Sequence, residues 1–307
     1  MAIQNAAGPS VNIFNLKDDG TEGNAVLSFP LNTGETVRNN AMACGRCFCL
    51  ILGTNANTQM STLYNMSFCA WVPTPTLESQ VSLPGFAYNL HSNEGEGDGG
   101  SGYTILQSTK NKVTTYEVVQ ISGSQIIREI DISEFVNLFE GKIYPGGTAF
   151  CAETATMWIA IQTKNPLQDT LLTLNLATKS VTANISITKP ALTGHFADCG
   201  SNLVGGVTIK NIAGINNVQF GMLSPAGAFT VLDEIALPKG NTAHLAGIAD
   251  FLHDPRLPWL PSEYGTILYS GGPGDQLPGM LITSQGKMGS GKMATLSTVV
   301  SSVSVAY

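Results

Sequence analysis

Apolar and polar residues alternate along this chain in short stretches, and the stretches come in pairs. Leu172-Thr-Leu-Asn-Leu176 alternates strictly and Val181-Thr-Ala-Asn-Ile-Ser-Ile187 less so. A period of two is that of a β-strand with two different faces. The pattern predicts strands over Thr170–Leu176 and Ser180–Ile187 joined at Ala177-Thr-Lys179 as a hairpin. It predicts the same arrangement for Val113–Ile121 with Gln125–Ile132, about Ser122-Gly-Ser124, and for Asn217–Leu223 with Phe229–Leu237, about Ser224-Pro-Ala-Gly227.

A second, longer period underlies these hairpins. Asn40-Ala-Met-Ala-Cys44, Gly85-Phe-Ala-Tyr-Asn89, Gly147-Thr-Ala-Phe-Cys151, His195-Phe-Ala-Asp-Cys199, His244-Leu-Ala-Gly-Ile248 and Lys292-Met-Ala-Thr-Leu296 start at spacings of 45, 62, 48, 49 and 48 residues. Units of 40 to 50 residues, each holding several short strands, are the signature of a β-propeller. Five of the six units carry Ala at their third position and the other carries Met42, which suits an innermost strand where neighbouring blades converge. At the chain ends, Met293–Val300 and Ser302–Tyr307 read as two inner strands, and Val11–Leu16 and Ala25–Leu31 as an outer hairpin. Joined, they predict a sixth blade closed by both termini and one domain over residues 1–307, with five blades as the alternative count.

Composition narrows the partners. Only 12% of residues are charged, against about 25% in an average soluble domain, which favours tight turns over solvated helices. A net charge of -7 provides no basic face for nucleic acid or an anionic membrane, so neither is expected as a partner. No apolar run reaches the roughly 18 residues of a membrane span. Met1–Ser10 lacks the basic and apolar regions of a signal peptide, so the chain as given reads as cytoplasmic, with a mature secreted form as the alternative.

Two segments break the period. Ser92–Gly102 carries Glu94, Glu96 and Asp98 among glycines and serines, and reads as a solvated acidic loop inserted in blade two; the calcium-loop alternative lacks EF-hand spacing. His253–Glu263 has three prolines in seven residues and cannot be a central strand. It brings His253, Arg256 and Trp259 toward one rim. The cysteines at 44, 47, 49, 69, 151 and 199 lack the paired clusters of a zinc site, and are expected to be buried thiols.

In period and strand pattern, over nearly its full length, the chain resembles the six-bladed propeller superfamily of the gluconolactonase and senescence-marker-protein-like enzymes and the NHL-type propellers. That resemblance implies a divalent metal held at the channel mouth by an acidic residue and Asn or Asp ligands. The unit starts here are Asn40, Gly85, Gly147, His195, His244 and Lys292, so the family's ligand motif is not matched. The chain also looks compatible with propellers of fungal secondary metabolism that bind hydrophobic intermediates.

Within the repeat, the first position fails to repeat, and it is where the chemistry is expected. His195, His244, Lys292 and Asn40 form one polar arc, while Gly85 and Gly147 leave space on the other side. A few oriented polar groups beside room for an apolar body suit one small molecule. The expected catalytic groups are His195 or His244 as general base or hydrogen-bond donor and Lys292 steadying an oxyanion. Asn40, Asp198, Asp250, Trp259 and His253 are the expected substrate contacts. The expected function is small-molecule binding with a cofactor-independent, proton-assisted isomerisation or cyclisation of a largely apolar metabolite. No metal site is assigned; a two-histidine divalent site with Asp198 or Asp250, in a lactonase-like hydrolase, is one alternative and a lectin propeller another. Histidines that only cap their strands would give the same pattern.

Overall fold

The structure is a computed structural model that describes residues 2–5, 10–16, 22–44, 48–67, 75–93, 101–138, 141–152, 154–163, 168–188, 192–198, 203–224, 227–236, 243–250, 263–270, 277–283, 293–294 and 300–304. Its strands are β1 Ala2–Asn5, β2 Ser10–Leu16, β3 Glu22–Pro30, β4 Thr36–Cys44, β5 Phe48–Asn55, β6 Met60–Ser67, β7 Thr76–Leu83, β8 Phe86–Ser92, β9 Ser101–Lys110, β10 Val113–Ser122 and β11 Gln125–Asp131. After a short helix, α1 Ser133–Leu138, come β12 Lys142–Cys151, β13 Thr156–Gln162, β14 Gln168–Asn175, β15 Ser180–Thr188, β16 Leu192–Asp198, β17 Leu203–Ile212, β18 Ile215–Leu223 and β19 Phe229–Ala236. The last are β20 Ala243–Asp250, β21 Glu263–Ser270, β22 Leu277–Thr283, β23 Met293–Ala294 and β24 Val300–Ser304.

Among the described residues these strands form six four-stranded antiparallel sheets. The orders are β4-β5-β6-β7, β8-β9-β10-β11, β12-β13-β14-β15, β16-β17-β18-β19, β20-β21-β22-β23 and β24-β1-β2-β3. The six inner strands β4, β8, β12, β16, β20 and β24 pack side by side in that sequence, and β24 returns to β4. The fold is a six-bladed β-propeller whose last blade draws on both ends of the chain. Four strands per blade is an even number, so every inner strand runs in the same direction. One face of the ring therefore gathers the residues where inner strands begin, the other those where they end.

Three predicted outer hairpins are present as β10–β11, β14–β15 and β18–β19. Their turns use positive φ at Gly123, Lys179 and Gly227. Because the strands are two-sided, one strand feeds two cores. Leu106 joins a cluster with Leu50, Leu90 and Val119 between blades one and two, while its neighbour Ile105 joins Val118, Ile143 and Ile159 between blades two and three. On β13, Met157 and Ile159 face the latter cluster, and Trp158 and Ala160 face Leu171 and Leu223 on the other side.

The closing blade differs from expectation. Its inner strand is β24 alone, paired with β1 through Ala2↔Ser304 and Ile3↔Val303, so the amino-terminal side supplies three strands and the carboxyl-terminal side one. Met293–Ala294 pairs with Leu277–Pro278 as the outermost strand of blade five. The sixth repeat unit thus marks an outer strand. The Met-Ala pair resembles the other units only because small and apolar residues also suit a sheet edge.

The cysteines are corrected too. Cys44 and Cys49 are cross-strand partners where β4 meets β5, and form a disulfide with Cα atoms 4.0 Å apart. Cys151 is also disulfide-bonded, to a partner outside the described residues, where Cys47, Cys69 and Cys199 lie. Cys44, Cys49 and Cys151 are thus bonded rather than buried thiols, and disulfides persist in oxidising compartments.

At the face where inner strands begin, the turn from blade six into blade one encloses a carboxylate. Glu35 is 8% exposed. It accepts hydrogen bonds from Tyr64 Oη at 2.5 Å and Thr62 Oγ1 at 2.6 Å, while the Asn32 backbone N–H donates to Tyr64 Oη at 2.9 Å. Burial, then the Glu35 carboxylate, raises the Tyr64 pKa, which keeps the phenol a donor. Gly53 leaves room for the pair: a Cβ there would lie 2.5 Å from Glu35 Oε2 and 2.9 Å from Tyr64 Cε2. Gly53→Ala and Tyr64→Phe are each expected to cost about 1–3 kcal/mol. Combined, they should cost less than their sum, as urea unfolding of the four-variant cycle will show. Cys44→Ser should cost roughly 2 kcal/mol, from the short loop the disulfide closes, and reduction should lower the wild-type midpoint at least as far, since it also opens the Cys151 disulfide.

Candidate functional site

The inner strands line the channel, and their shape decides which side chains reach it. Four are irregular: the ladder skips between Val37 and Met42 on β4, between Ile143 and Thr148 on β12, between Leu192 and Gly194 on β16 and between Leu245 and Gly247 on β20. A fifth irregularity lies between Tyr88 and His91 on β8, and a sixth where β24 pairs with β1, between Ile3 and Asn5. Bulges re-aim side chains and interrupt pairing, so simple alternation does not predict what an inner strand presents.

Asn40 and Gly147 fall inside two of these irregular stretches. His195 is on β16 and His244 on β20, adjacent inner strands. Asp198 and Asp250 are the last residues of those strands, on the face where inner strands end. The backbone thus brings Asn40, His195, His244, Asp198 and Asp250 to channel-lining strands, within them or at their ends rather than at their first residue. His253, Trp259 and Lys292 lie outside the described residues. Gly85 precedes β8, and a Cβ there would meet the Gln107 carbonyl oxygen at 2.3 Å. Close backbone packing, not channel space, requires that glycine.

A histidine outside the repeat alignment is the best-defined polar group near the channel. His91 sits one residue before the end of β8, and its Nε2 lies 2.6 Å from Thr148 Oγ1 on the next inner strand, β12. Thr148 is buried. The Phe150 ring centroid is 6.2 Å from the imidazole and 5.0 Å from Tyr103, the cross-strand partner of His91. The ring of His91 is surrounded by protein yet keeps partial access to solvent, as do Tyr103 and Phe150. Groups that are deep and still accessible border an internal space.

Burial pushes the His91 pKa down from 6.5 to about 4. At neutral pH the imidazole is therefore uncharged, one nitrogen a donor and the other an acceptor. Ser101, on the same face of β9 as Tyr103, is 7% exposed and its Oγ has no hydrogen-bond partner among the described residues. Such an orphaned hydroxyl costs about 1–3 kcal/mol unless something outside the protein satisfies it. His91, Thr148, Ser101, Tyr103 and Phe150 together make a neutral cluster at the junction of blades two and three. Glu94, Glu96 and Asp98 of the acidic insertion lie outside the described residues.

On the other side of β8, between blades one and two, is a cavity of about 10 Å³ lined by Arg38, Ala41, Leu52, Thr54, Tyr88 and Asn89. That is the lower limit for a single water. Arg38 lies 4.7 Å over the Phe86 ring. Burial, aided by Tyr116 and opposed by Arg38, pushes the Tyr88 pKa up to about 12, so its phenol stays protonated and donates to Gln107 Oε1. Among the described residues no group of three or more His, Cys, Asp or Glu side chains is arranged to hold a metal ion.

No protein-family model matches the chain, and no curated protein matches it significantly. Solved structures similar to it include a nidogen/laminin complex (12% identity, TM-score 0.49, covering 88% of each chain). The Dos1 propeller is similar at 10% identity and TM-score 0.48, over 98% of this chain and 69% of that one. The Cps50 (Swd1) β-propeller domain of Myceliophteria thermophila is similar at 8% identity and TM-score 0.47, over 95% and 85%. At these identities and scores the likenesses carry no argument about function.

Because the folded pKa of His91 lies below its unfolded value, the unfolded chain binds the extra proton first as pH falls. Stability is expected to be full above pH 6.5 and to fall between 6.5 and 4, by at most roughly 3 kcal/mol. Denaturant midpoints measured at pH 7, 5.5 and 4 should show this loss in wild type and not in His91→Gln.

Proposed function

We propose that this propeller binds one neutral, largely apolar small molecule at the end of the channel where the inner strands terminate, beside blades two and three. The observation that carries the reading is the neutral cluster of His91, Thr148 and the unpartnered Ser101 hydroxyl next to Tyr103 and Phe150. Such a site has hydrogen bonds to give and aromatic surface to cover, and among its described groups none is charged at neutral pH. An anionic or cationic ligand would lose hydration there without a partner charge.

The chemistry follows from the same groups. An imidazole with its pKa near 4 is a poor base at neutral pH but a good fixed hydrogen-bond donor toward a carbonyl or developing enol. His195 and His244 stand on inner strands further round the ring, and one of them supplies the matching base. Donor and base on one ligand make a proton-assisted isomerisation or cyclisation, needing no redox cofactor, the reaction class proposed. Nucleic acid and anionic membranes are not proposed as partners, given the net charge of -7. The disulfides at Cys44–Cys49 and Cys151 support an oxidising compartment as the place where it works.

Extraction of small molecules from the purified protein, followed by mass spectrometry, tests the reading. One uncharged compound is expected in near-stoichiometric amount, reduced at least tenfold in His91→Leu at unchanged melting temperature. Equal recovery from wild type and a folded His91→Leu would overturn the site, and a spectrum of charged ligands would overturn the ligand class. His195→Ala and His244→Ala should retain the compound, and at least one should lose its conversion.

A further inference from the structure

We infer that Asn89 is the positioning residue of this site: its left-handed backbone builds the bulge that turns His91 toward Thr148. The inference rests on the reading of His91 as part of the ligand site, but its geometry stands independently. Asn89 has φ of 53° in the interior of an inner strand and is buried. Side chains other than glycine rarely adopt that conformation, and Asn is among the few that tolerate it.

The ladder shows what the conformation does. Tyr88 pairs with Ile105 and His91 with Tyr103, so three steps on β8 match two on β9 and one residue is absorbed. Without that absorption, Tyr88 and Leu90 would share a face, and His91 would point with Ala87 toward blade one. With it, Ala87 and Leu90 both join the core shared with blade one, while Tyr88 packs against the core shared with blade three. His91 then follows Tyr88 and meets Thr148 on β12.

A bulge frees carbonyl groups that a regular ladder would have paired, and here a single side chain collects them. Thr104 Oγ1 lies 2.9 Å from the Tyr88 carbonyl oxygen and 2.6 Å from that of Asn89, sharing its proton between them. Thr104 is buried on β9 directly beneath the irregularity. It ties the bulge together through the protein's own groups.

The test is the imidazole titration of His91, followed by NMR in the full chain. Among the described groups the ring is faced by Thr148, Tyr103 and Phe150, so its titration reports whether it still occupies that place. Asn89→Gly, which accepts positive φ, is expected to keep the His91 value near 4. Asn89→Val, whose branched side chain does not accept it, should move the value by at least one unit toward 6.5 while the protein stays folded. Thr104→Val should shift it in the same direction. If Asn89→Val is too unstable to titrate, Asn89→Ala takes its place, carrying the same backbone penalty with less bulk. A folded Val or Ala variant with an unchanged His91 titration overturns the inference, and so does Asn89→Gly releasing His91. Full retention of the bound compound in a variant whose His91 titration has shifted would count against the ligand reading alone.

Discussion

Everything in this molecule depends on six inner strands converging on one axis. A strand that close to its neighbours has little room for side chains and a short exposed edge, and the chain meets both limits locally. Small residues such as Ala43, Ala87 and Ala149 are buried there. Where a larger group must face the channel, the strand departs from regular pairing. Irregular inner strands are thus the result of packing six sheets into a ring. They are also why polar groups from different blades meet: His91 and Thr148 come from strands that share no ladder, and the ring alone brings them within hydrogen-bond distance.

The outer hairpins were legible in the sequence because nothing competes with their alternation. Each joins its two strands through a turn residue that takes positive φ, as at Gly123, Lys179 and Gly227. The inner strands were legible in number and rough place, but not in detail. Asn40 and Gly147 lie in stretches where several residues on one strand oppose few on the next, so counting from a repeat start loses register. His91 was missed for the same reason, since alignment on Gly85 put attention six residues upstream. Counting back from the ends of the inner strands would have found it. Cys44, Ser92 and Cys151 are equivalent there, and His91 stands one step from that line.

Two other departures have local causes. Helix α1 hides between β11 and β12, where Asp131 Oδ1 accepts from the Ser133 backbone N–H and Ser133 Oγ from that of Tyr116; this is turn chemistry with no periodic signature. Cys44 and Cys49 read as buried apolar positions because they are buried. Only their placement as cross-strand partners reveals that they bond, and five residues of separation do not specify a register.

The closing blade has a consequence for how the chain comes to be folded. β24 is synthesised after the other twenty-three strands, and it must insert between β1 and the inner strands of blades one and five. Until then β1 presents an unpaired edge and the ring is open. Contacts this distant in sequence form slowly, because loop closure precedes any gain from pairing. A nascent chain therefore carries the exposed β1 strand for most of its synthesis, while its blades accumulate one by one. That edge is the place where a chaperone, or a second nascent copy, would find it.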